Sequence, residues 1–94
     1  MKKSIYQSSP NRIFFYRKKR GLTQHEVALI IGLKNGSHIS NYERGVATPS
    51  LVRALELALA LNTPLEFLFE DTVCEIKQDL MVQRERLYRK KLLN

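Results

Sequence analysis

At 94 residues, 44% of them apolar and 27% charged, the chain supports one small domain with a shared core and leaves no room for a separate enzymatic domain. A net charge of +7 and a pI near 9.9 point to an anionic partner, nucleic acid first. The lone cysteine, Cys74, cannot form an internal disulfide, and no signal-peptide pattern or bilayer-length apolar run is visible, so a cytoplasmic protein without membrane association is expected.

Charge is unevenly spread along the chain. Residues 1–53 carry ten Lys or Arg against Glu26 and Glu43, residues 54–83 carry Lys77 against six acids, and the last eleven carry five cations against Glu85. Met1 to Ser9 reads as a basic arm with Lys2 and Lys3, and Ser9-Pro10 as the cap and first position of a helix running to about Arg20. Ile13, Tyr16 and Phe14 are the inward candidates of this first helix, and Arg17 to Arg20 gather where cations suit its C-terminal dipole.

A second helix starts at Gln24, because Thr23 and Glu26 have the spacing of a capping box. Val27, Ala28 and Ile31 share its inner face, and Gly32 is placed for a left-handed exit. The next start signal is Asn35 or Ser37, after which Ile39 and Tyr42 take inward positions and Gly45 closes the third helix. The sequon formed by Asn35, Gly36 and Ser37 has no meaning in a cytoplasmic setting.

Pro49-Ser50 opens a fourth helix whose buried face is read as Leu51, Leu55, Ala58 and Leu61. Thr63 to Glu66 has the form of a second capping box, with Pro64 at the first helical position of a short helix carrying Leu65, Leu68 and Phe69. From Asp71 the composition changes to a long charged helix, with Thr72 and Glu75 as its capping box. Val73, Ile76, Leu80 and Leu87 form half of a heptad seam that Gln83 and Lys90 interrupt. Such a helix could pack back on its domain, join a dimer interface or bind another protein. The division expected is a basic arm over 1–9, a domain over 10–70 and a C-terminal helix over 71–94.

The residues from Gly21 to Gly45 resemble the lambda repressor and Cro-like (Xre-type) family of helix-turn-helix DNA-binding proteins. Arg17, Gly21-Leu22-Thr23-Gln24, Val27-Ala28, Gly32-Leu33, Ile39-Ser40, Tyr42-Glu43-Arg44-Gly45 and Pro49-Ser50-Leu51 match its pattern in order, over roughly residues 12–70. The chain has one residue more between Gly32 and Ile39 than the commonest spacing, and Gly36 stands where the family often has a base-reading Gln. The resemblance implies an all-α, five-helix lambda-repressor-like domain with the C-terminal helix appended.

It also implies that the third helix enters the major groove. Asn35, Gly36, Ser37, His38 and Asn41 then become the base-contact candidates, with the asparagine amides suited to adenine. Thr23, Gln24, Lys34 and Arg44 are the phosphate candidates. Arg12, Lys18 and Lys19 read as solvated charges, and Arg17 with Glu43 as the family's structural ion pair. His25 and His38 lie on different helices without Cys or acidic companions, so no metal site, cofactor or catalytic set is expected. The function implied is a transcriptional regulator of double-stranded DNA, a repressor acting as a homodimer on an inverted repeat. The alternatives are an antitoxin or control protein whose C-terminal helix binds a partner protein, and an adaptor with the fold but no DNA.

Overall fold

Backbone capping and glycine exits set where the helices start and stop. The computed structural model describes residues 11–93, in which α1 spans Ile13–Lys19, α2 Gln24–Ile30, α3 Ser37–Arg44, α4 Leu51–Ala60, α5 Leu65–Leu68 and α6 Glu70–Leu93, with no strand among them. Thr23 and Glu26 form the capping box of α2: Thr23 Oγ1 accepts the Glu26 N–H at 3.0 Å and Glu26 Oε1 accepts the Thr23 N–H at 2.9 Å. Gly32 and Gly45 follow α2 and α3 at φ of +88° and +74°, a left-handed backbone that a Cβ would strain. Ser50 Oγ caps α4 by accepting the Arg53 N–H.

One core joins the first five helices. Ile13 of α1, Val27 and Ala28 of α2, Ile39 and Tyr42 of α3, Leu57 and Ala58 of α4, Leu61 after it and Leu68 of α5 are buried together, with Tyr16, Leu22, Ile31, Leu33, Leu65 and Phe69 packed at the edge. Each fully buried Ile, Leu or Val contributes about 1.5–3 kcal/mol of transfer free energy. That burial is what holds helices of seven residues, too short to persist alone.

Several sequence expectations are corrected. The Ser9-Pro10 start of the first helix and the basic arm over 1–9 lie outside the described residues; α1 itself begins at Ile13, whose N–H is accepted by Asn11 Oδ1. Phe14 is exposed rather than inward, since Ile13 and Arg17 define the buried side. On α4, Leu51 and Leu55 face solvent, and the core face is Ala54, Leu57 and Ala58, because the core lies on the other side of a helix that is apolar nearly all round. Thr63 forms no capping box, and Pro64 is the cap rather than the first residue of α5: the Thr63 hydroxyl donates back to the Leu61 carbonyl at 2.9 Å. Thr72 lies inside α6, which begins at Glu70 as a near-continuation of α5.

The C-terminal helix does not fold back on the domain. None of the residues of α6 is buried, and the molecule measures 57 × 27 × 21 Å along its principal axes. At 1.5 Å per residue, α6 alone is about 36 Å long.

Candidate nucleic-acid interface

The third helix is braced from behind by a buried ion pair. Arg17 Nε and Nη2 donate to Glu43 Oε2 and Oε1 at 2.6 and 3.1 Å, with side-chain exposures of 8% and 5%. The third guanidinium nitrogen, Nη1, donates to the Leu22 carbonyl at 2.9 Å. A fork-to-fork pair of this kind fixes angle as well as distance. It therefore ties α1, the α1–α2 turn and the end of α3 into one unit.

Gln24 extends that brace to α2. Its Nε2 donates to Glu43 Oε1 at 3.0 Å, so one face of the side chain is committed to the fold. The same residue supports the other end of α3. A Cβ built on Gly36 would lie 2.9 Å from Gln24 Cβ and 3.0 Å from both the Gln24 carbonyl carbon and the His25 nitrogen. The added residue in the turn is accommodated because glycine lets the backbone rest directly on the first turn of α2. Gly36, a base-contact candidate on sequence grounds, thus has its space filled by Gln24 and His25, and it is the N-cap residue of α3 in place of Asn35.

Asn35 acts one step outside the helix. Its Oδ1 accepts both the Ser37 N–H at 2.9 Å and the Ser37 hydroxyl at 2.6 Å, which leaves the Asn35 Nδ2 as a donor and the Ser37 Oγ as an acceptor. Ile39 and Tyr42 anchor α3 in the core, and the opposite side carries exposed Ser37, His38 and Arg44 with half-buried Asn41. Arg44 Nη2 donates to Asn41 Oδ1 at 2.7 Å, so Asn41 keeps its Nδ2 and one lone pair of Oδ1 for other partners. The His38 ring lies 6.5 Å from that of Tyr42.

The residues read from the sequence as phosphate candidates lie near this row. Thr23 and Gln24 line a shallow cleft with Arg17, Lys18, Gly21 and Leu22, and the contact of Gly36 with Gln24 places the start of α3 beside it. Lys34 is exposed in the turn between α2 and α3. Of the cations read as solvated, Arg12 is exposed but also paired: its Nη2 meets Asp71 Oδ1 at 3.2 Å and its Nη1 lies 3.6 Å from Glu70 Oε1. Hydrogen bonding to Asp71, then the charge of Glu70, raises its pKa further above the ordinary arginine value.

Two residues with structural roles escaped the sequence reading. Arg20 Nε and Nη2 donate to the Leu61 and Asn62 carbonyls at 2.8 and 2.9 Å, capping the C-terminus of α4 from α1. Asn11 Nδ2 donates to the Tyr42 carbonyl at 2.8 Å, holding the end of α3 against the segment before α1. Asn11 had a readable signal, an Asx residue just ahead of a helix; the long-range partners of Arg20 had none.

Among the described residues no helix is long and apolar enough to cross a membrane. No curated protein matches the chain significantly. A family model described as "Helix-turn-helix" matches residues 13–68, more than half of the chain and the whole span from α1 through α5. That family is one of DNA-binding regulatory domains rather than enzymes. With the braced α2–α3 pair at its centre, the chain belongs to the Xre and lambda-repressor-like helix-turn-helix family.

Proposed function

We propose that the chain is a sequence-specific, double-stranded-DNA-binding transcriptional repressor that acts as a homodimer on an inverted repeat. The observation that carries this reading is the polar row Ser37, His38, Asn41 and Arg44 on a helix held at both ends by Gln24. A recognition helix must present base-reading groups at a fixed angle. Asn35 and Ser37 supply a donor and an acceptor at its first turn, and Asn41 supplies an amide further along. Lys34, Arg44, Thr23 and the free side of Gln24 serve the flanking phosphates. A single helix reads too few base pairs to find one site in a genome, which favours two copies with half-sites about one helical turn apart. Repression follows from occupancy of the operator.

Selection of bound duplexes from a random library tests the reading, followed by titration of the recovered site at two salt concentrations. A palindromic site preferred over random DNA by about 1,000-fold or more supports it. Weak binding without sequence preference overturns it.

A further inference from the structure

The outermost helix has a layout that the DNA-binding head does not explain. The first ten residues of α6 carry Glu70, Asp71, Glu75 and Asp79 against Lys77, and residues 84–91 carry Arg84, Arg86, Arg89, Lys90 and Lys91 against Glu85. Between them lies the uncharged stretch Leu80-Met81-Val82-Gln83, in which Leu80, Met81 and Val82 are 61%, 67% and 48% exposed. Arg12 reaches both Glu70 and Asp71 from the head. The helix is therefore antisymmetric in charge about an apolar middle, and its midpoint falls between Met81 and Val82.

The helix's own dipole accounts for part of this. Acids suit a helix N-terminus and cations a C-terminus, but the effect dies within the first and last turns. Glu75, Asp79, Arg84 and Arg86 lie in the middle turns, beyond that reach. From residue 76 onward the helix is exposed throughout, and there it lacks the tertiary packing that supplies most helical stability in proteins.

We propose that α6 is a self-pairing element that lies antiparallel against α6 of a second copy, with the two-fold axis passing between Met81 and Val82. In that arrangement the acidic half of each helix meets the basic half of the other; side by side in parallel, like halves would repel. A centre at the midpoint sets the register. Ile76 faces the partner's Leu87, Leu80 faces the partner's Gln83, and Asp79 comes opposite the partner's Arg84. These are the layers that a half-formed heptad can supply when a polar position on one strand meets an apolar one on the other. The pairing deepens the homodimer reading above, and rests on it only for its consequence on DNA: the heads attach at opposite ends of a pair about 36 Å long, close to one turn of B-form duplex.

Disulfide trapping in the full chain, without DNA, tests the geometry. In a Cys74→Ser background, Ile76→Cys and Leu87→Cys are prepared separately, then mixed and oxidised. Facing thiols have an effective concentration in the millimolar range against micromolar for chance encounter, so antiparallel pairing predicts on the order of 100-fold more linked dimer in the mixture than in either variant alone. Self-linking of Ile76→Cys alone would indicate a parallel pair and overturn the proposal. Absence of a link in every sample would overturn it too, by leaving α6 without a second copy. Both positions are exposed, so the variants keep the head intact, and a thermal melt of each checks this. An antiparallel link together with failure to recover a palindromic site upholds the pairing and removes the operator reading, so the two failures stay distinct.

Discussion

Glu43 is the residue on which the orientation of α3 converges, because it accepts from Arg17 twice and from Gln24 once at 5% side-chain exposure. Removing it leaves the buried Arg17 guanidinium with the Leu22 carbonyl as its one remaining hydrogen-bond partner among the described residues, beside the Phe14 ring. Glu43→Ala is therefore expected to lower the unfolding free energy by about 3 kcal/mol, read from urea denaturation. Gly36→Ala tests the contact at the other end. A methyl group 2.9 Å from Gln24 Cβ has to push α3 off α2, at a cost of about 1–3 kcal/mol in stability and with weakened binding to the selected duplex. Asn41→Ala separates the two kinds of effect: its melting curve should stay within about 0.5 kcal/mol of the parent. Its preference for the selected site should fall by about 1–3 kcal/mol in a competition titration.

Helix boundaries marked by local chemistry are legible in the sequence. The Thr23–Glu26 box, the glycines at 32 and 45 and the Ser50 cap are each formed by residues within a few positions of one another. Legibility ended where the answer depends on a distant neighbour. The run LVRALELALA in α4 has apolar residues on both sides, so periodicity alone does not tell whether Leu55 or Leu57 meets the core. Thr63 and Thr72 carry the right letters for caps, but Thr63 is drawn to the Leu61 carbonyl and Thr72 is passed over by a helix that has already begun. The site divides the same way: its exposed row follows from the inward positions of Ile39 and Tyr42, whereas the locking of Gln24 by Glu43 joins residues 19 apart. The exposure of α6 beyond Glu75 gives a prediction at this scale. At a protein concentration too low for α6 to pair, a chain ended at Ile76 should unfold within about 0.5 kcal/mol of the parent, by circular dichroism, since residues 77–93 are all exposed.

The described residues form a braced head carrying a long helix that is exposed from residue 76 onward. If each of two protomers places Lys34 and Arg44 on phosphates, about four counterions are released. Affinity for the selected duplex should then fall about 150-fold between 50 and 200 mM salt, as filter binding or fluorescence anisotropy would show. A shallower slope would mean that fewer cations reach the backbone. The exposure of α6 has one more consequence, for the lifetime of the protein in a cell. A helix whose residues 76–93 are all exposed opens there at little cost in free energy, and proteases that cut after Lys or Arg act on the opened form. Arg84, Arg86, Arg89, Lys90 and Lys91 all lie on that helix. Copies whose α6 is covered by a second copy are shielded while solitary ones are clipped, so turnover itself would sharpen the dependence of regulator activity on its own abundance.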